Sequence, residues 1–372
     1  MRPYLARHGT AGMITNNTVI REYAGPGQKQ ICMESTMNRI KRLTACTLIA
    51  SALAVSSGCS SFGAVTIKPD ELKKKYGTAA DRYLHLAVTP EQLVKTYGAN
   101  VNPLLKQKGV DMTVRYRDEG QGEPVLLLHG VCSSLETWDG WVERMKGTHR
   151  IIRIDIPGFG LTGPAPDKSF YNKDTAVDFL DMFMERLGIR QFSIVGNSLG
   201  GYLSWNYALR YPRKVRKMIL IDSVGYNQKL PGLLSLATNP AIVPTARKMM
   251  PRSLLDRAVK QVYGDKSKAT PEVRQRYFDF AMMERNRDAY VEVFLEMKRQ
   301  NESPGLSKEI PDIKVPVMVM WGTKDEWIPF ENFKKFRKDL PSATFVSYEG
   351  AGHVPMEEIP DKTAADALKF LR

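Results

Sequence analysis

Phe192-Ser193-Ile194-Val195-Gly196-Asn197-Ser198-Leu199-Gly200-Gly201-Tyr202 is an apolar strand signal that runs straight into a helix signal through a Gly-x-Ser-x-Gly turn. A serine at so sharp a bend takes a strained backbone, and glycines flank it because a side chain there would strike the neighbouring strand or helix. The strain turns the Ser198 hydroxyl outward. The helix expected over residues 199–211 aims its free N–H groups and positive end at the place where negative charge would develop on a reacting carbonyl. Five residues alone are a weak signal. The context strengthens it: β-branched residues come just before, a second glycine just after, and Tyr202, Leu203, Trp205, Ala208 and Leu209 continue as an amphipathic stretch.

Two later pieces fall in a telling order. Trp321-Gly322-Thr323-Lys324-Asp325 follows the apolar run 315–320, and Gly350-Ala351-Gly352-His353 follows the strand-like run 344–348. Serine, acid, histidine in that chain order belongs to one architecture. From residue 110 to 372 the chain resembles the α/β-hydrolase fold family. The motifs that carry the resemblance are Leu128-His129-Gly130, Asp155-x-Pro157-Gly158-x-Gly160, Gly196-x-Ser198-x-Gly200-Gly201, Trp321-Gly322-x-x-Asp325-x-x-Ile328-Pro329 and Gly352-His353.

A serine hydroxyl is a poor nucleophile until a base takes its proton, so this chemistry needs an imidazole poised near neutral pH. His353 is the candidate, because His85, His129 and His149 do not follow the last strand. Asp325 would accept from the other ring nitrogen and fix the tautomer. Asp222 is its rival: it ends the apolar run 218–221, and some family members place their acid there. The resemblance further implies an oxyanion hole formed by the backbone N–H groups of Val131 and Leu199. Cys132 beside it reads as inert packing, and the 155–160 loop as a structural brace at the mouth of the site.

The 372 residues, 43% hydrophobic and 25% charged, suit a globular protein with a large core. Bias sits at the front. A basic patch, Met37-Asn38-Arg39-Ile40-Lys41-Arg42, precedes an apolar run over 43–55 and the small residues Ser56-Ser57-Gly58-Cys59, the layout of a secretory signal. The run is too short to span a bilayer comfortably. A cysteine after small residues also resembles a bacterial lipoprotein signal, cut before Cys59 with lipid on its thiol. Ser56 departs from that pattern, since an aliphatic residue is usual there, which leaves ordinary cleavage or a retained anchor open. With lipidation, Met37 becomes the expected initiator, and the protein is expected in a bacterial cell envelope, at the periplasm or outer membrane.

The formal charge is +14, and residues 1–58 hold seven Lys or Arg against two Asp or Glu, so the remainder stays basic. Such a surface could lean on anionic phospholipid, though scattered solvated lysines explain it as well. No metal-ligand spacing, phosphate-binding glycine loop or basic helix with interleaved aromatics occurs, which speaks against metal, nucleotide and nucleic-acid chemistry. Of four cysteines, Cys132 alone remains once the leader and Cys59 are set aside, so no disulfide framework is expected.

Residues 59–110 read as an N-terminal extension with short helices at 70–76 and 90–97. Strands are expected at 112–117, 125–129, 151–156, 192–195, 218–221, 315–320 and 344–348, mostly continuous apolar runs as a covered parallel sheet requires. A helix over 174–187 places Val177, Leu180, Met184 and Leu187 on one face. The alternation gives an α/β, doubly wound, mostly parallel sheet, with its core in 111–223 and 313–372. Residues 224–312 are far too many for a loop. Rich in helix formers, with prolines at 231, 240, 244, 251 and 271, they read as a helical cap over the site. Its methionines, Met249, Met250, Met282, Met283 and Met297, are expected mainly in the core, with a few facing the pocket.

These features imply a cofactor-free serine hydrolase, esterase- or lipase-like, acting on a small-molecule carboxylic ester through an acyl-enzyme on Ser198. Serine at the elbow argues against family members that attack with a carboxylate. A carbon–carbon hydrolase of ring-cleavage products, or a non-catalytic ligand-binding protein on the same fold, stays open.

Overall fold

The computed structural model describes residues 63–98 and 101–372. The leader-like segment 37–58 and Cys59 lie outside the described residues. Among the described residues no helix is long and apolar enough to cross a membrane.

Eight strands form one sheet in the order β1-β2-β4-β3-β5-β6-β7-β8. They are β1 (Asp81–Val88), β2 (Val110–Glu119), β3 (Glu123–Leu128), β4 (His149–Ile154), β5 (Phe192–Asn197), β6 (Val215–Ile221), β7 (Val317–Gly322) and β8 (Thr344–Tyr348). β2 pairs antiparallel with β1 and β4, and every later pairing is parallel. β5 and β7 are buried along their whole length, because helices cover both faces. That is why neither strand alternates apolar with polar residues.

β1 lies within 59–110, where the sequence shows only the two helices. Its pattern Asp-Arg-Tyr-Leu-His-Leu-Ala-Val buries a single side chain fully, Leu86, so it carries little hydrophobic signal. Charge fastens it instead. The buried Arg115 guanidinium of β2 reaches Asp81 at 3.0 Å, Glu136 at 2.6 Å and Asp155 at 3.1 Å, tying the edge strand to the loop that follows β4.

Between β6 and β7 the chain forms helices Gly232–Ala237, Val243–Ala246, Arg252–Gln261, Pro271–Met282 and Asn286–Glu302. Prolines start three of them: Pro231 and Pro251 occupy N-caps, and Pro271 opens its helix after a Thr270 cap that accepts from the Val273 N–H. The first described residues are stitched to this insertion. Gly63 accepts from the Met250 N–H, Ile67 exchanges backbone bonds with Met282 and Glu284, and Lys75 and Tyr76 both donate to Asp279.

Candidate active site

Ser198 follows the last residue of β5 and caps the helix Leu199–Arg210 with φ of +55°, the left-handed region that a side chain normally avoids. The elbow is so tight that a methyl group on Gly196 would sit 2.1 Å from the Gly200 carbonyl oxygen, and one on Gly200 2.1 Å from that of Leu128. Both glycines are therefore obligatory here. The loop after β3 presses on the same corner, since a methyl on Gly130 would lie 3.2 Å from the Ser198 Cβ. Among the described residues no protein group accepts from the N–H of Val131 or of Leu199, so both donors remain available beside the serine.

His129 explains how that loop is held. The Ile156 N–H donates to its Nε2 at 3.0 Å, so the ring hydrogen is on Nδ1, which donates to the Gly130 carbonyl at 2.7 Å. Burial pushes its pKa down, favouring this neutral form. The 155–160 loop is braced as well: Asp155 accepts from the N–H groups of Leu135 and Leu161.

His353 follows β8, and Asp325 follows β7. The His353 Nδ1 donates to Asp325 Oδ2 at 2.7 Å, which leaves Nε2 with its lone pair. Asp325 Oδ1 accepts from the N–H groups of Trp327 at 2.7 Å and Ile328 at 2.9 Å. Asp325, rather than Asp222, thus holds the imidazole. Asp222 is close by all the same, at the end of β6 with φ of +44°. One oxygen from each acid and a ring nitrogen of His353 lie within 4.8 Å of one another. Among the described residues this is the one His and acid group compact enough for a cation, yet Asp325 and the His353 Nδ1 already face each other in a hydrogen bond, a protein arrangement complete without a metal.

Three residues that the sequence did not mark complete the corner. Asn197 donates from Nδ2 to the carbonyls of Ile221 and His353, at 3.2 and 2.9 Å, joining the serine strand to the histidine loop. Trp327 stacks on the His353 ring, centroids 5.9 Å apart. Buried Glu358 accepts from the N–H groups of Gly352, Gly264 and Asp265, locking the histidine loop to the insertion. Asn197 occupies a variable position of the Gly-x-Ser-x-Gly pattern, and Glu358 sits in an ordinary acidic pair, so neither carried a signal.

Two apolar cavities meet here. The larger, about 1120 Å³ including its open mouth, is bordered by Ser198, Leu199 and Val131 and walled by Phe159, Leu180, Leu234 and Met297. The smaller, about 530 Å³ on the same basis, is bordered by His353, Gly130 and Val131 and walled by Met250, Leu255, Ala258 and Val259. Val131 and Trp327 line both. Met250 and Met297 face cavities, while Met282 and Met283 are buried in the core, Met283 with Leu72, Leu161 and Phe280. Cys132 lines the smaller cavity, and burial pushes its thiol pKa up, away from the reactive thiolate.

Residues 123–360 match the alpha/beta hydrolase fold family, and the chain belongs to it. It is similar to Lipase 1 of Psychrobacter immobilis, 28% identical over 303 residues that cover 77% of this chain and 90% of that protein. It is also similar to 2-hydroxy-6-oxo-2,4-heptadienoate hydrolase of Pseudomonas putida, 26% identical across 68% of this chain and 90% of that enzyme. Among solved structures, a thermophilic esterase from Thermogutta terrifontis superposes with a TM-score of 0.63 at 22% identity, covering 78% of this chain and 98% of that one. A membrane phospholipase A gives 0.60 at 22% identity, covering 92% and 96%. At these identities the structural likeness establishes the fold.

Proposed function

We propose that this hydrolase is a serine esterase whose substrates are carboxylic esters with apolar groups on both the acyl and the alcohol side. Ser198 Oγ attacks the ester carbonyl carbon while His353 Nε2 takes its proton. The carbonyl oxygen, now negative, receives the N–H groups of Val131 and Leu199. The imidazolium, steadied by Asp325, passes the proton to the ester oxygen, the alcohol leaves, and Ser198 keeps the acyl group. Water, deprotonated by His353, then attacks the acyl carbon and releases the acid and the serine.

The observation that carries this reading is the pair of apolar cavities meeting between nucleophile and base. The leaving oxygen must lie on the histidine side, where the imidazolium can protonate it, so the alcohol belongs in the smaller cavity and the acyl chain in the larger. A dienoate substrate, as named for the Pseudomonas putida relative, carries a carboxylate, yet Lys173 is the one lysine or arginine among the residues lining either cavity. That favours neutral esters over carbon–carbon substrates. The test is hydrolysis of an ester series by the parent and by S198A, with fluorophosphonate labelling. Ester turnover and labelling that both vanish in S198A are expected. Activity confined to vinylogous diketones would favour the carbon–carbon reaction, and an unlabelled, inactive parent a binding protein.

Export and a lipid on Cys59 are part of the same proposal, supported by the basic-apolar-small layout of 37–59. Radiolabelled fatty acid should enter the parent but not C59S when each is expressed in a bacterial host. Equal labelling would reject the anchor.

A further inference from the structure

Asp222 is wholly buried, sits in the left-handed region, and has two oxygens with different surroundings. Oδ1 accepts from the Gly322 N–H at 2.9 Å, while Oδ2 is buried with no donor directed at it. Asp325, its neighbour, accepts from three N–H groups, those of Trp327, Ile328 and the His353 ring. Two carboxylates this close in a dry site cannot both stay ionised, and the charge settles on the one with more donors. The shared proton therefore belongs to Asp222.

We propose that Asp222 is a positioning residue for the acid–histidine pair, a neutral carboxylic acid whose Oδ2–H donates to the Asp325 carboxylate. The inference rests on the reading of Ser198, His353 and Asp325 as one reacting unit. Burial first, and the Asp325 charge second, push the Asp222 pKa well above the usual carboxylate range. The groups facing it are the Gly322 N–H at the end of β7, Asp325 beyond it, His353 beyond β8, the Tyr348 phenol at the end of β8, and Glu358 on the helix Pro355–Glu358. Tyr348 donates to Asp366, and Glu358 is occupied by three backbone N–H groups. Neither competes for the Asp222 proton.

The donated bond does two things. It holds the Asp325 carboxylate in place beside the histidine, and it spreads the negative charge, which moderates the pull of Asp325 on the imidazolium. Removing the donor strengthens that pull and makes His353 more basic, so the acid limb of kcat/KM moves to higher pH. An ionised Asp222 predicts the reverse, because deleting a second negative charge makes His353 less basic. The sign of the shift separates the two.

The experiment is kcat/KM against pH on a short-chain nitrophenyl ester for the parent, D222A, D222N and S198A, with melting temperatures alongside. D222A should lose about tenfold or more at neutral pH and move the acid limb upward by roughly half a unit. D222N can accept from Gly322 through Oδ1 and donate to Asp325 through its amide, the same polarity as the neutral acid. It should recover most of the lost rate and return the limb towards the parent. A downward shift in either variant, an unmoved limb in D222A, or a D222N as slow as D222A would overturn the proposal. Should D222A not fold, the D222N profile decides alone: near the parent supports it, displaced downward overturns it. An active S198A would bring down the Ser198 reading and this inference together, whereas failure confined to the Asp222 variants leaves that reading intact.

Discussion

Glu358 supports a prediction whose size can be worked out bond by bond. Its carboxylate accepts from Gly352 at 2.8 Å, Gly264 at 3.0 Å and Asp265 at 2.8 Å. In E358A the three donors fare differently. Gly352 is buried, so its N–H loses a charged acceptor with no water to replace it, at about 1–3 kcal/mol. Gly264 is half-buried and Asp265 exposed; water can reach both, and each costs roughly 0.5–1.5 kcal/mol. Together these come to about 2–6 kcal/mol, a fall in melting temperature of roughly 4–12 °C for a fold of this size. E358Q should cost less, about 1–2 kcal/mol, since the amide oxygen can keep Gly264 and Gly352 while the amide nitrogen confronts only the exposed Asp265 N–H. Catalysis should suffer with stability, because His353 is the residue after Gly352 and a displacement of about 1 Å at a reacting group can cost on the order of 10²-fold. Thermal unfolding and ester kcat/KM of the parent, E358Q and E358A measure both effects. An E358A protein melting within about 2 °C of the parent, or keeping the parent's kcat/KM, would refute the claim that this carboxylate locks the histidine loop.

The two cavities predict opposite selectivities: L234W, in the larger, should penalise long acyl chains by about tenfold relative to acetyl esters, and L255W, in the smaller, should penalise bulky alcohols similarly. A matrix of acyl and alcohol lengths checks this, and exchanged selectivities would reverse the assignment of the subsites. Acid stability should carry the mark of Glu136: burial raises its pKa, but Arg115 first and hydrogen bonds next outweigh this and hold it at about 2. A carboxylate with a depressed folded pKa contributes stability above its unfolded value of about 4.3, and that contribution fades as pH falls towards 2. Urea unfolding of the parent should therefore weaken between about pH 4.5 and 2 with a slope that E136Q reduces, and parallel slopes would count against this role.

Much of this was legible because the sheet is parallel and covered. Strands buried on both faces carry apolar runs, which is why residues 192–195 and 218–221 stand out from the sequence, and the ends observed differ by at most three residues. β1 was not legible: an edge strand with one fully buried side chain has no run to show, and what secures Asp81 is an arginine 34 residues later. The site divides the same way. Ser198, Asp325 and His353 sit in turns whose glycines and chain order are visible, whereas Asn197, Trp327 and Glu358 act through contacts with residues 156, 26 and 94 positions away or nearer, and such contacts leave no local pattern.

Strain and chemistry coincide on one edge of this molecule. Cys132, Ser198 and Asp222 have positive φ, and each stands just beyond the carboxyl end of a parallel strand: β3, β5 and β6. Of the described non-glycine residues only Arg285, between β6 and β7, shares that conformation. A strand end held this way costs about 1–3 kcal/mol per residue and persists only where its surroundings enforce it. Here they do, through obligatory glycines around Ser198, the His129 clamp beside Cys132, and the Gly322 N–H on Asp222. Asp325 and His353 then enter from the next two strands, β7 and β8, without needing strain, because a loop of ordinary length suffices once the sheet has brought the strand ends together. The strained half of the site thus carries Ser198 and Asp222, and the unstrained half carries Asp325 and His353. The Asp222 variants probe the first half by removing the hydrogen bond to Asp325, and the Glu358 variants probe the second by loosening the loop that carries His353.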